Sequence, residues 1–155
     1  MKILVFSDSH GDTEPMRRLI RRHSPDAVLH LGDHAADAEE IRLDFPETVF
    51  WTVRGNCDLA SGVPLREELS LEGVHIFMTH GHAYQVKYGM DSFLNTALCS
   101  GAALALYGHT HVPDSQFIEG MWAINPGSIR YGGTYCLIEA EKGKFTFSLL
   151  RDGRE

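Results

Sequence analysis

The chain is short of cysteine, of positive charge and of long apolar runs, and each shortage excludes something. Its three cysteines, Cys57, Cys99 and Cys136, are odd in number and far apart, and none sits in a CxxC pair. A disulfide framework is therefore not expected, and a reducing cytoplasm fits best. No stretch reaches the roughly 18 to 20 consecutive apolar residues that a membrane span needs. The opening Met1-Lys2-Ile3-Leu4-Val5-Phe6 runs straight into Asp8 without a small-residue cleavage site, and reads as a first strand, not as a signal peptide. Basic residues are outnumbered, with 14 Lys and Arg against 21 Asp and Glu and a formal net charge of -7. That disfavours nucleic acid as a partner, because phosphate backbones need clustered cations. The one basic cluster, Arg17-Arg18 with Arg21-Arg22, reads as the solvated face of a helix.

What remains is 155 residues, 43% of them hydrophobic, enough for one compact domain over residues 1–155. Lys2 to Ser7 is a continuous apolar run, as a buried parallel strand would be. Asp12 or Thr13 can cap a following helix whose stripe is Met16, Leu19, Ile20 and His23. Ala27 to Leu31 and Thr48 to Val53 read as strands separated by a short helix, Ala36 to Leu43. This β-α-β-α-β opening implies right-handed crossovers and a parallel sheet. The second half reads as a hairpin around Glu72-Gly73, a helix beginning near Asp91, a buried strand Ala102 to Tyr107, and two further hairpins turning at Glu119-Gly120 and Glu141-Lys142-Gly143.

Short polar motifs follow five of these runs: Asp8-Ser9-His10, Gly32-Asp33, Gly55-Asn56, His80-Gly81-His82 and Gly108-His109-Thr110-His111. They offer seven oxygen and nitrogen ligands, Asp8, His10, Asp33, Asn56, His80, His109 and His111. That is too many for one tetrahedral zinc and suits two adjacent divalent metals. In open α/β sheets, ligands bind beyond the carboxyl ends of the strands, which is where all seven stand. Alternation in Asp8/His10 and His109/His111 is expected to turn both side chains of each extended pair the same way. Mixed carboxylate, imidazole and amide donors without thiolate favour manganese, iron, nickel, cobalt or zinc, with manganese the first choice.

In order and spacing these blocks resemble the calcineurin-like metallophosphoesterases, whose pattern runs D-x-H, G-D, G-N-H-D/E, G-H and G-H-x-H. The resemblance implies two facing mixed β-sheets flanked by helices, a four-layer α/β sandwich. It implies one metal on Asp8, His10 and His111 and a second on Asn56, His80 and His109, with Asp33 bridging. By length, and by Asn125-Pro126-Gly127-Ser128, the chain is most similar to the small phosphodiesterase branch. The implied reaction is hydrolysis of a small phosphodiester by a hydroxide bridging two cations about 3.5 to 4 Å apart. Asn56 can turn its amide NH2 to a substrate oxygen, and Arg54 can help to meet charge on phosphate.

One position departs from the pattern. Cys57 stands where the family has a histidine thought to protonate the leaving group. A thiol is a poorer donor than an imidazolium, so Cys57 reads as a small buried filler and Asp58 as a brace for its loop. His82 and His34 are then the candidate proton donors, and His30, His75 and His23 read as structural. Competing readings are a non-catalytic scaffold of the same fold that binds partner proteins, and a phosphomonoesterase or nuclease variant. A homo-oligomer stays open.

Overall fold

The computed structural model describes residues 1–59 and 62–153. Ten strands and three helices follow one another as β1 (Lys2–Phe6), α1 (Glu14–His23), β2 (Ala27–His30), α2 (Ala35–Arg42), β3 (Val49–Thr52), β4 (Arg66–Leu71), β5 (Val74–Thr79), α3 (Asp91–Cys99), β6 (Leu104–Leu106), β7 (Asp114–Ile118), β8 (Met121–Asn125), β9 (Thr134–Glu141) and β10 (Lys144–Arg151). The strands form two mixed five-stranded sheets, ordered β10-β9-β1-β2-β3 and β4-β5-β6-β8-β7. β1, β2 and β3 are parallel, as the opening pattern implies. β9 returns antiparallel to β1 and carries β10 as a hairpin. In the second sheet β5, β6 and β8 are parallel, with β4 and β7 antiparallel at the edges.

Strand alternation explains the layers. Ile3 and Val5 of β1 face the second sheet and pack with Leu29, Ile76, Met78, Leu104, Leu106 and Ile138 in a buried core between the sheets. Leu4 and Phe6 point the other way, onto Met16, Leu19 and Ile20 of α1 and Ile41 of α2. On the far side, Phe77, Ala105 and Ala123 pack against Phe93, Leu94 and Ala97 of α3. The result is helix, sheet, sheet, helix, the four layers expected.

Two caps differ from expectation. Thr13 does occupy the residue before α1, but its hydroxyl takes a hydrogen bond from Arg17 Nη1 (2.6 Å) and caps no backbone N–H. Met90, not Asp91, precedes α3, and Asp91 opens the helix itself, where its charge meets the positive end of the helix dipole. Three of the four arginines of α1 find carboxylates: Arg17 reaches Asp44 at 2.9 Å, Arg18 pairs with Asp152, and Arg21 lies 3.8 Å from Glu14. No helix among the described residues is long and apolar enough to cross a membrane.

Candidate metal centre

The loops that leave the carboxyl ends of β1, β2, β3, β5 and β6 meet where the two sheets share one end. Backbone hydrogen bonds stitch them together: Asp8 N–H to the Gly32 carbonyl (3.0 Å), His10 N–H to the Asp33 carbonyl (3.4 Å) and Gly108 N–H to the His80 carbonyl (2.9 Å). The backbone itself is unusual here. Asp8, His10, Asp33, His109 and His111 all have positive φ, between 44° and 72°. Non-glycine residues avoid that region unless the surroundings impose it, and such residues cluster at functional sites. These segments are therefore turns and not extended chain. The expected shared direction of His109 and His111 does not occur: the two rings go to different groups.

Ligand atoms of Asp8, His10 and His111 lie within 4.8 Å of one another, and so do those of Asp33, His80 and His109. His111 Nε2 is 3.1 Å from Asp8 Oδ1, His80 Nε2 is 3.4 Å from Asp33 Oδ2, and His80 Nε2 is 3.1 Å from His109 Nδ1. Two donors each about 2.1 Å from one cation stand about 3.0 to 3.4 Å apart at octahedral or tetrahedral angles. The spacings fit. His10 Nε2 joins the two trios, 3.8 Å from Asp8 Oδ1 and 3.7 Å from Asp33 Oδ2. That nitrogen is buried and has no hydrogen-bond partner among the described residues. A buried ring nitrogen held between two carboxylates, and bonded to neither, is a donor suited to a cation.

Each carboxylate is held by one oxygen and offers the other. Asp8 Oδ2 accepts from the Ser7 hydroxyl and from His109 N–H (3.2 Å), leaving Oδ1 toward the histidines. Asp33 Oδ1 accepts from Cys57 N–H (3.0 Å), leaving Oδ2. His80 Nδ1–H donates to the Leu31 carbonyl (2.8 Å), which turns Nε2 toward Asp33 and His109. Burial tends to raise the Asp33 carboxyl, but the hydrogen bond and charge of His80 outweigh it and hold the group well below the usual range. Burial and then the His80 charge push His109 down to about 4, so its ring is neutral with a free lone pair at pH 7. Burial opposes a charge on His80, yet Asp33 and Asp8 together raise it. The pocket between those two carboxylates thus favours positive charge.

Close approach explains two of the glycines. A Cβ on Gly55 would stand 2.1 Å from Asp33 Oδ1, and one on Gly108 would stand 2.1 Å from Ser7 Oγ. The Asp33 carboxylate at Gly55, and the Ser7 hydroxyl with Asp8 Oδ2 behind it at Gly108, occupy the space that side chains there would fill.

Asn56 is exposed on the loop after β3, and its Nδ2 donates toward Cys57 Sγ at 3.7 Å, which leaves Oδ1 as its donor atom. Arg54 keeps a buried Nε without a hydrogen-bond partner among the described residues. His82 lies beside the second trio, its ring 5.5 Å from His80 and 6.2 Å from His109. Burial, and next the His80 charge, lower its pKa, so it stands neutral at pH 7. His34 is half exposed and bonds Asp37 Oδ1 through Nδ1 (2.8 Å).

Cys57 is not the buried filler its size implied. It is exposed, and its sulfur lies within 4.8 Å of ligand atoms of His10 and Asp33. Its backbone N–H is held by Asp33 while its side chain stays at the surface. Asp58 does brace its loop: Oδ2 accepts from Asp33 N–H and Gly55 N–H, and Oδ1 from His34 N–H and Ala35 N–H, all at 2.8 to 3.0 Å.

Three supports complete the site: Asp37 carries no signal in the sequence, while His30, read as structural, and the Asn125-Pro126-Gly127-Ser128 segment find their partners only in the fold. Asp37, buried on α2, accepts from Ser9 Oγ (2.7 Å) and Gly11 N–H (2.8 Å) and so sets the turn that carries His10. His30 joins that network through Ser9 (2.9 Å); its Nδ1 takes Gly32 N–H, so Nε2 carries the proton. Asn125 Nδ2 donates to the Gly108 carbonyl and to Thr110 Oγ1, and Ser128 Oγ donates to the Asp8 carbonyl. The N-P-G-S turn therefore clasps two ligand loops. Tyr131, largely exposed, lays its ring against His111 (5.3 Å) and His10 (5.4 Å) at the rim.

Known proteins resemble this chain in sequence and fold. The model of the calcineurin-like phosphoesterase superfamily domain matches residues 1–143. A Bacillus subtilis protein named probable metallophosphoesterase YsnB is 34% identical over 132 residues, covering 84% of this chain and 76% of that protein. The Escherichia coli K12 protein named phosphodiesterase YfcE is 26% identical over 154 residues, covering 83% and 79%. A crystal structure from Streptococcus pneumoniae TIGR4, described as a predicted phosphoesterase, has a TM-score of 0.80 at 32% identity and covers 97% of this chain and 88% of that one. With its sheets, its strand-end loops and nearly its whole length accounted for in this way, the chain belongs to the calcineurin-like phosphoesterase superfamily.

Proposed function

We propose that this chain is a phosphodiesterase that hydrolyses small phosphodiesters at a centre for two divalent cations, manganese being the best match to its donors. The observation that carries the reading is the pair of trios, Asp8–His10–His111 and Asp33–His80–His109, joined through His10 and Asp33. On this reading Asp8, His10 and His111 would hold one cation, Asn56, His80 and His109 would hold the other, and Asp33 would serve both. Two bound cations acidify water and neutralise phosphate charge.

The chain's own residues do the rest. Asp8 and Asp33 are aimed because Ser7, His109 N–H and Cys57 N–H hold their other oxygens. Asn56 stands at the open side, where its NH2 can turn to a substrate oxygen, and Arg54 supplies positive charge nearby. The leaving group receives little help. Partial burial and the Asp33 charge push the Cys57 thiol above its ordinary value, and His82 is neutral. Neither is a strong acid at pH 7. Esters whose leaving group departs without a proton, such as aryl diesters, are therefore the favoured class. Cytoplasmic placement and the lack of a nucleic-acid partner belong to the same proposal and rest on the cysteine and charge balance.

The test is a metal-reconstituted assay of an aryl phosphodiester against its monoester. Diester turnover with manganese should exceed monoester turnover at least about tenfold. No diester turnover with manganese, cobalt, nickel or zinc, together with tight capture of a partner protein, would instead establish the scaffold reading.

Removing the metals should also weaken the fold, since two buried carboxylates and five positive-φ residues converge there. At manganese about a hundredfold above its Kd, the folded state gains about 2.7 kcal/mol. A thermal melt should fall by about 5 to 10 °C on chelation and recover on adding manganese. An unchanged melt would mean that no cation binds the native state.

A further inference from the structure

We propose that Cys57 gives this centre a second mode of metal binding, in which Cys57 Sγ, His10 and Asp33 capture a thiophilic divalent cation such as zinc or cadmium and block the catalytic arrangement. The inference rests on the reading of the centre given above.

Three ligand atoms, one each from His10, Asp33 and Cys57, lie within 4.8 Å of one another. Cys57 is exposed, so an ion from solvent meets it at the mouth of the site. His10 Nε2 lies behind it, buried, without a hydrogen-bond partner among the described residues and 3.7 Å from Asp33 Oδ2. Asp33 and Cys57 are fixed to each other by the N–H that Cys57 donates to Asp33 Oδ1. Asn56 Nδ2 donates toward the sulfur at 3.7 Å, a contact that stabilises a metal-bound thiolate.

The donor chemistry separates the two modes. One thiolate, one imidazole and one carboxylate, with a fourth position open, suit a tetrahedral zinc or cadmium ion. Manganese prefers oxygen and imidazole donors and gains little from sulfur. Binding exchanges the S–H bond for an S–metal bond and releases the thiol proton to water, with no change of oxidation state. His10 and Asp33 serve both modes, so an ion seated on Cys57 takes two donors from the manganese arrangement. Thiophilic cations should therefore act as tight competitive inhibitors of manganese loading.

The test uses the full chain and its Cys57→Ser and Cys57→Ala variants, titrated with cadmium and followed by the ultraviolet sulfur-to-cadmium charge-transfer absorption. Wild type should develop the band with one ion per chain. Both variants keep Cys99, the other exposed thiol, and so subtract its contribution. In both, the band should vanish and the ratio of cadmium to manganese affinity should fall at least about tenfold, about 1.4 kcal/mol. An equal band and an equal ratio in wild type and variants would overturn the proposal. Manganese-dependent diester turnover without a Cys57 band would overturn this inference alone. A Cys57 band in a protein with no diester turnover would overturn the proposed function and leave this inference standing.

Discussion

Replacing Asp33 with alanine should abolish diester turnover, by at least about a thousandfold. Asp33 Oδ2 faces His80 at 3.4 Å and His10 at 3.7 Å, so this oxygen touches both trios. On the proposed reading this carboxylate would be shared by two cations and would set their spacing and charge. Losing about 4 kcal/mol of transition-state charge stabilisation is about a thousandfold in rate. Asp33→Asn separates charge from shape. It keeps an oxygen that can accept Cys57 N–H, yet lacks the negative charge, and should be nearly as inactive as alanine. Both variants should fold, because Asp58 still holds the Asp33, His34, Ala35 and Gly55 N–H groups. The measurements are kcat/KM on an aryl diester and metal content per chain after gel filtration, which should drop from two ions to one or none. Undiminished rates in either variant would place the activity elsewhere on the molecule.

Much of this site is legible in the sequence, and the limits are physical. Strand ends can be read because apolar runs stop abruptly at Gly32-Asp33, Gly55-Asn56 and Gly108-His109. Parallel pairing then brings those ends together whatever the details of the loops. Side-chain direction cannot be read in the same way. The alternation that works within β1 does not carry into these turns: Asp8 and His10 share a trio, but His109 and His111, with the same sign of φ, go to different ones. Cys57 shows the same limit. Its size suggests a buried place, but its side chain stands at the surface beside Asp33 and His10. The supports from Asp37 and Asn125 are invisible for another reason. Asp37 bonds Ser9 across 28 positions, and Asn125 bonds Gly108 across 17, so no local spacing announces either. Asp58 lies between these cases: its position next to Cys57 suggested a brace, while its four partners on two loops emerge only from the fold.

Those four partners make Asp58→Ala the other severe substitution. The carboxylate caps the start of α2 from a different loop and at the same time ties Gly55 to Asp33. His34, the residue before α2, offers no side-chain cap of its own. Removing the carboxylate orphans four backbone N–H groups, three at the positive end of α2 and one, Gly55, on the loop after β3. Hydrogen bonds to a charged acceptor are each worth about 1.5 to 3 kcal/mol, and water recovers part of that at a half-exposed loop. The expected loss of stability is about 2 to 4 kcal/mol by urea unfolding. Turnover should fall about 10- to 100-fold, because the Asp33 and Asn56 loops lose their common anchor and metal affinity weakens with them. Asp58→Asn, which keeps one acceptor oxygen, should lie between wild type and alanine in both measurements. Excess manganese should restore part of the activity of either variant, since the defect is in placing the donors. Asp58→Ala with undiminished stability and metal affinity, yet with turnover lost, would show instead that this carboxylate takes part in the chemistry. In that case it would act as a proton-handling group beside a cysteine, and the loop-brace account would be wrong.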